Sequence, residues 1–324
     1  MSIPKVSIIV PIYNAGEYLT SCLDSLINQT LKEIEIICVL DCPTDGSDKI
    51  VKEFAEKDER IKIIKNEKNL HIGESRNKGI KAATGEFIGF SDNDDLSDTH
   101  LFEYLYTTAK KGNSVVSICR KDEFINETHI TNKNDVSRNN AWDYFCELLK
   151  VNSSIGGYVW NHIYLRQYIL DHNILFPDTK KMSVEDECFN IHVYMALIEE
   201  KKEIEYIPDV LYHHRRHSGN TGESDDNQEK RIIYRDYISG LILNSCYKQR
   251  SDVINFLNEG NITIIYRLCK RLILQKKFRA ALNVIFHLNK YKLISESLHE
   301  SKVKYYFELS IPKNCIYWIS KLFI

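Results

Sequence analysis

The apolar run Phe87-Ile88-Gly89-Phe90 passes through Ser91 into Asp92-Asn93-Asp94-Asp95, which packs three carboxylates into four residues. Like charges this close repel and resist desolvation, so a positive partner is expected among them. Hard oxygen ligands at a strand tip suit Mg²⁺ or Mn²⁺, and an octahedral ion keeps positions open for phosphate oxygens. The plainer reading is a solvated acidic turn ahead of a helix beginning near Ser97. A second pair, Glu185-Asp186, opens a segment with Val184, Cys188, Ile191, Met195 and Ile198 on one helical face. Acidic residues favour a helix start through the macrodipole, yet one aimed into a cleft could take the proton of an attacking hydroxyl. His213, His214 and His217 invite a zinc reading. Adjacent strand residues point to opposite faces, however, so His213 and His214 cannot share one ion.

These groups need elements to hold them. Val6 to Val10 is a β-rich apolar run ending at Pro11, and Leu19, Leu23, Leu26 and Ile27 follow at near-helical spacing. Ile34 to Leu40 is apolar apart from Glu35, and the turn from Asp41 to Gly46 leads into a helix through Ile50 and Phe54. Ile61 to Ile64 reads as a third strand, Gly73 to Ala83 as a small-residue helix, Phe87 to Phe90 as a fourth strand and Val115 to Cys119 as a fifth. Apolar strands alternating with helices predict an α/β fold with a mostly parallel sheet covered on both faces. Ligands of such sheets bind beyond the carboxyl ends of the strands. Pro11 to Asn14, Asp41 to Ser47 and Asp92 to Asp95 should therefore share one cleft. No G-x-G-x-x-G or Walker-type loop follows the first strand, so a phosphate cradle at that helix is not expected. A nucleotide diphosphate would need neutralising by something else, and a carboxylate-held metal would supply it.

The 324 residues leave room for one large domain with an appendage, and 43% apolar with 27% charged residues is an ordinary globular balance. We divide the chain into a catalytic domain over 1–220 and a helical, basic extension over 230–324. The polar run Ser218 to Lys230 reads as a linker or mobile loop. No stretch reaches the roughly 20 apolar residues of a membrane span, and the N-terminus reads as lacking a secretory leader. Nine cysteines without a C-x-x-C pair suit reduced, buried thiols and a cytoplasmic location. From Arg231 onward there are 16 Lys/Arg against 6 Asp/Glu, a net +10 set against −12 for the remainder. Such a tail suggests an anionic surface. From Ile316, the apolar residues Trp318, Ile319, Leu322 and Phe323 suit one helical face that could lie in a membrane interface. The alternative is packing onto the helical tail or onto a second copy of the chain.

Val6-Ser7-Ile8-Ile9-Val10-Pro11-Ile12-Tyr13-Asn14, Gln29-Thr30, Asp45-Gly46-Ser47, Gly73-Glu74-Ser75-Arg76-Asn77-Lys78-Gly79, Thr84-Gly85-Glu86-Phe87 and the D-x-D-D cluster resemble, in order, the family-2 glycosyltransferases. Trp160-Asn161, Phe176-Pro177, Glu185-Asp186-Glu187-Cys188-Phe189 and Tyr212 to His217 extend the likeness over about two-thirds of the chain. The resemblance implies a GT-A, Rossmann-like fold and a metal-dependent inverting transfer from a nucleotide-diphosphate sugar, with UDP expected. The acceptor would be a hydroxyl of a glycan or lipid-linked saccharide, as in bacterial polysaccharide synthesis, and nucleic acid is not an expected partner. It also implies hexosyl or N-acetylhexosaminyl transfer, peripheral to the inner face of the plasma membrane.

By the same resemblance Pro11, Ile12, Tyr13 and Asn14 wall the nucleoside, Asp41 accepts from the uracil ring with Arg76 as its basic partner, and Asn69 and Asn93 join the nucleotide contacts. Asp92 takes ribose and metal water, Asp94 binds Mn²⁺ or Mg²⁺ directly, and His217 is a further ligand. Arg215 faces the diphosphate, Asp186 is the general base and Glu185 an acceptor-binding carboxylate. Two departures matter. Leu40-Asp41-Cys42-Pro43 stands where the family usually has Asp-Asp-Gly-Ser, which weakens the inference of uracil. His162 stands where Trp-Asn-Lys is common, which weakens any lysine contact to the acceptor. The competing readings are a glycosyltransferase-like binding module with weak catalysis and a haloacid-dehalogenase-like phosphatase with Asp92 as nucleophile. Leu96 and the position of Asp92 on the fourth strand count against the phosphatase.

Overall fold

The computed structural model describes residues 3–125, 128–130, 140–150, 157–217, 225–257 and 261. They form two compact units, one taking the chain to Leu148 and again from 154 to 221, the other taking residues from Leu149 and from 222 onward. In the first unit the strands are β1 (Val6–Ile12), β2 (Ile34–Leu40), β3 (Ile61–Lys65), β4 (Phe87–Phe90), β5 (Leu96–Ser97), β6 (Val116–Ile125), β7 (Thr128–Ile130), β8 (His162–Leu165) and β9 (Glu205–Arg215). Its helices are α1 (Tyr18–Ile27), α2 (Ser47–Lys57), α3 (His71–Ala82), α4 (Leu101–Gly112), α5 (Ala141–Leu148), α6 (Arg166–Asp171) and α7 (Glu185–Glu199). The second unit begins with α8 (Asp225–Leu243).

The sheet order is β3-β2-β1-β4-β8-β6-β9-β5, with β7 paired to β6. Its first four strands are parallel, as the alternation of strands and helices predicts. Beyond β4 the character changes. β8 runs antiparallel to both β4 and β6, and β9 returns parallel to β6 with a register shift near Arg120. The long pairings of the sheet are thus parallel, as expected, with short antiparallel ladders at β8, β7 and β5, because these later strands do not arise from repeated βαβ units.

β1 and β2 are buried at every position, which is why they read as unbroken apolar runs. Glu35, the polar exception in β2, is buried and tied down: it accepts from the Ser7 hydroxyl, the Thr84 amide and hydroxyl, and the Lys62 ammonium. It thus brackets three strands and the turn into β4 with charge-assisted bonds. Gly79 on α3 sits so close to β1 that a Cβ would lie 2.4 Å from Ile9 Cγ2, so only glycine lets this helix approach.

Several boundaries differ from the sequence reading. Helix α4 starts at Leu101 rather than near Ser97, because Leu96–Ser97 pair with His213 and Tyr212 as a short strand. The fifth apolar run extends well past Cys119 to Ile125 as β6, and a further strand, β9, follows α7 at Glu205–Arg215. Helix α7 is buried nearly all round instead of on one face, and Val184 is its N-cap. The run Ser218 to Lys230 is not wholly a linker, since α8 begins at Asp225. Polar composition alone does not separate a linker from the first turns of an exposed helix. Residues 218–224 of that run, and the amphipathic end of the basic tail at Ile316 to Ile324, lie outside the described residues. No helix among the described residues is long and apolar enough to cross a membrane.

Candidate active site

The carboxyl ends of β1, β2 and β4 lie side by side and carry the three polar clusters to one edge of the sheet. Past β1, Tyr13 is 51% exposed and offers an open aromatic face, while Pro11 and Ile12 behind it are buried. Asn14 takes a left-handed backbone (φ 48°), which asparagine tolerates better than most residues, and its Oδ1 accepts from the Thr44 amide at 2.8 Å. Asn93 donates to the Pro11 carbonyl at 2.9 Å, so the tips of β4 and β1 are joined.

Asp41, at the end of β2, is 3% exposed. Its carboxylate accepts from Asn66 Nδ2 and from the amides of Leu70 and His71 at 2.7–2.8 Å, the start of α3. An ionised carboxylate offers about four lone-pair sites, so one remains for a ring N–H. Asn69 caps the same turn by accepting from the His71 amide at 3.0 Å. Cys42, where the family pattern has glycine, has φ 57°, the left-handed backbone that favours glycine.

Arg76 does not pair with Asp41. It lies one turn into α3, buried to 1%, with its guanidinium edge-on to a different set of groups. Nη2 donates to Asp92 at 2.8 Å, and Nη1 to Glu185 at 3.0 Å and also to Asp186. The Phe176 ring backs it at 5.2 Å, and Phe176 in turn stacks on Phe189. One cation thus gathers the acidic strand tip and the acidic start of α7, two segments nearly a hundred residues apart. Burial raises the pKa of Asp186, the Arg76 charge opposes that rise, and Glu185 and Asp92 reinforce it. Burial disfavours the Arg76 charge, yet Asp186, Asp92 and Glu185 more than offset it, so the guanidinium stays charged. Val184, just before the pair, has φ 65°, an outlier for a β-branched residue.

Asp94 sits beyond the tip, its Oδ2 2.9 Å from His217 Nε2, and both side chains are about one-fifth exposed. The His217 ring lies against Tyr18 at 4.7 Å. Arg215 donates to the Asp94 carbonyl at 2.8 Å and lies over the Tyr18 ring at 4.8 Å. Asp94, His217 and Arg215 are therefore brought together, while Arg76 gathers Asp92, Glu185 and Asp186. Asp94 and His217 offer a carboxylate and an imidazole to a divalent ion, but the Asp92 carboxylate is turned to Arg76 and does not lie in one ligand cluster with them.

Asp95 had no role assigned from sequence beyond its charge. It is fully buried, and its carboxylate accepts from Tyr212 Oη at 2.9 Å and the Arg215 amide at 2.7 Å, and lies 3.1 Å from His214 Nδ1. Burial pushes its pKa up to about 6 despite the His214 hydrogen bond. Burial pulls His214 down, but bonding to Asp95 more than offsets this and leaves it raised. Behind this pair Trp160 stacks on Tyr212 at 4.2 Å and on Tyr158 at 4.5 Å. No spacing rule could have singled out Asp95, because its partners come from β9. His162 is core: fully buried, it stacks on Tyr164, and burial pulls its pKa down to about 3. A lysine there would bring a charge into an apolar interior.

Comparison with known proteins fits this edge. A family model described as "Glycosyl transferase family 2" matches residues 7–173. EpsH of Bacillus subtilis, described as a glycosyltransferase, is 35% identical over 221 residues, covering 67% of this chain and 62% of the relative. The match thus spans under two-thirds of that relative's length. Among solved structures, Staphylococcus aureus TarS 1–349 in complex with UDP-GlcNAc superposes with a TM-score of 0.65 at 22% identity, over 82% of this chain and 81% of the other. The mannosyltransferase PcManGT of Pyrobaculum calidifontis, in complex with GDP-Man and Mn²⁺, gives a TM-score of 0.55 at 16% identity, covering 94% and 86%. At such identities the structures speak for the fold, which is that of GT-A glycosyltransferases. The match of the family model over half the chain speaks for descent, and the chain belongs to glycosyl transferase family 2.

Proposed function

We propose that this chain transfers a sugar, with inversion, from a nucleotide-diphosphate sugar to a hydroxyl of a glycan or lipid-linked saccharide. The observation that carries the proposal is the single cleft edge on which Arg76 holds Asp92, Glu185 and Asp186 together beside Asp94 and His217. The nucleoside stacks on exposed Tyr13, and the last acceptor site of Asp41 receives a base N–H. UDP is the favoured nucleotide, in keeping with the TarS complexes. The sugar is a hexose or N-acetylhexosamine.

Asp94 and His217 would hold a divalent ion with Asp92 in its water shell, and the carboxylate oxygens favour Mn²⁺ or Mg²⁺. Such an ion supplies positive charge against the diphosphate. The remaining work falls to side chains. Asp186 takes the acceptor's proton as its oxygen attacks the anomeric carbon from the face opposite the diphosphate. Burial raises its pKa above the ordinary carboxylate range, which makes it a stronger proton acceptor than a solvated aspartate. Glu185 orients the acceptor hydroxyl. Arg215 swings from the Asp94 carbonyl to meet the leaving diphosphate.

The basic C-terminal segment is assigned to the inner face of the plasma membrane, where lipid-linked acceptors lie. Liposome co-sedimentation with anionic lipid, comparing the full chain with one ending before Ile311, tests that placement. Equal absence of binding in both would refute it. The catalytic reading is tested by hydrolysis and transfer assays over UDP- and GDP-sugars, with EDTA and then Mn²⁺. Turnover of no nucleotide sugar under any condition, with binding retained, would favour the non-catalytic module.

A further inference from the structure

Away from the cleft edge, on the neighbouring strands β7, β6 and β9, three side chains meet that the transfer reaction does not use. Asp122 on β6 is 5% exposed, and each of its oxygens meets one imidazole: Oδ1 lies 2.7 Å from His213 Nδ1 and Oδ2 2.7 Å from His129 Nδ1. The two rings meet edge to face with centroids 5.0 Å apart. One ligand atom from each residue falls within 4.8 Å of the others. The pairing is built by register, since Asp122 stands opposite His213 in the parallel ladder, and the β6–β7 hairpin brings His129 opposite Phe124.

We propose that Asp122, His129 and His213 form a second metal site, separate from the Asp92/Asp94 edge, that takes Zn²⁺ or a similar transition-metal ion. His213 and His214 are successive residues of β9 and point to opposite faces. His214 is spent on Asp95, behind the cleft, while His213 turns to Asp122. The site therefore belongs to the other face of the strand. Its composition differs as well. Two imidazoles with one carboxylate suit zinc and its neighbours in the transition series, whereas the carboxylate-rich cleft suits Mg²⁺ or Mn²⁺. Three protein ligands would leave a fourth position for water, and half-exposed His129 gives the ion a way in. At usual Zn–N and Zn–O lengths of about 2.1 Å, tetrahedral ligand atoms stand roughly 3.4 Å apart, so an ion would require the two 2.7 Å contacts to open and the three ligand atoms, now within 4.8 Å of one another, to settle at that spacing. Both rings would present Nδ1 lone pairs, with the ring proton on Nε2.

The site also answers a structural question. All three residues of β7 are exposed, so little apolar burial holds this strand on the sheet. The His129–Asp122 contact and the stacking of His129 on Phe124 at 5.4 Å are what bind its side chains there, and an ion would convert that hydrogen bond into a coordination bond.

The test uses the full chain stripped with EDTA, then titrated with Zn²⁺ against a chromophoric chelator, and separately with Co²⁺ for its visible spectrum. Asp94→Asn removes the cleft ligand, and His129→Ala the proposed one. His129 lies on an exposed strand, and unchanged circular dichroism and metal-free Tm will verify that the variant folds. The expected result is one Zn²⁺ equivalent that persists in Asp94→Asn and weakens by roughly 100-fold or more in His129→Ala, at least the cost of losing an outer-shell partner. Co²⁺ should give an absorption band that His129→Ala abolishes and Asp94→Asn keeps. The proposal is overturned if His129→Ala binds Zn²⁺ like the parent, if the equivalent vanishes only in Asp94→Asn, or if the parent binds none. None of these readouts depends on glycosyl transfer.

Discussion

Replacing Arg76 by methionine keeps much of the side chain's volume and removes the cation among Asp92, Glu185 and Asp186. Each of those carboxylates is 16–25% exposed, so water retains some access, whereas Arg76 itself is 1% exposed. Breaking a buried ion pair by deleting one partner costs about 3–5 kcal/mol, and the partial hydration of the acids places this case near 3. For a unit of this size that corresponds to a fall in Tm of roughly 6–12 °C. The pH dependence carries the sharper information. Without Arg76 the three acids face one another uncompensated, and protonating Asp186 relieves part of the repulsion. The folded-state pKa of Asp186, already raised by burial, must rise further. A folded-state pKa above the unfolded one means that the folded form binds more protons across that window, so stability is lost as pH rises through it. The deficit of Arg76→Met should therefore be largest near pH 8 and shrink toward pH 5. Thermal unfolding of both proteins in metal-free buffer across that range measures it. A variant as stable as the parent at pH 8, or a deficit that grows as pH falls, would refute the reasoning.

Asp186→Asn should leave donor binding within a few-fold and lower kcat by about two to four decades, the usual range for a lost general base. Glu185→Gln should cost less and act partly through acceptor KM; the opposite ranking in the same transfer assay would reverse the two roles. EDTA should abolish transfer, Mn²⁺ or Mg²⁺ should restore it, and Asp94→Asn should weaken nucleotide binding by calorimetry, because a diphosphate without its counter-ion meets an acidic edge. His162, held neutral by burial with a folded pKa of about 3 against 6.5 unfolded, contributes stability present above pH 6.5 and lost as pH falls toward 3. His162→Phe should flatten the fall of Tm between pH 6.5 and 4, and an unchanged slope would count against a buried neutral imidazole.

The parallel half of the sheet was legible because β1, β2 and β4 are buried at every position and so print as apolar runs, with β3 as a half-exposed edge beside β2. The clustering of Pro11–Asn14, Asp41 and Asp92–Asp95 at one edge followed from that topology alone. Arg76 was found but given the wrong neighbour. Sequence order sets it on α3 beside the end of β2, while the fold turns its guanidinium toward α7, which arrives more than a hundred residues later. Strand geometry argued against one ion shared by His213 and His214, and in the fold their rings meet different carboxylates, Asp122 and Asp95. The true companions of His213, Asp122 and His129, could not be seen because they lie on a hairpin whose register no local pattern announces.

Asp95 shows why the rest escaped. In the sequence it is one more carboxylate of an acidic turn, the most solvent-loving reading available. In the fold it is fully buried, costly unless paired. Its partners are Tyr212, His214 and the Arg215 amide, all from β9. That cost has a structural return. By drawing the end of β9 onto the acidic loop, Asp95 sets Arg215 on the Asp94 carbonyl and delivers His217 to the Asp94 carboxylate. A buried charge that looks unfavourable by itself is thus the joint between the loop after β4 and the end of β9. The edge exists as a unit because Asp94 meets His217 while its neighbour Asp95 is fully buried against β9.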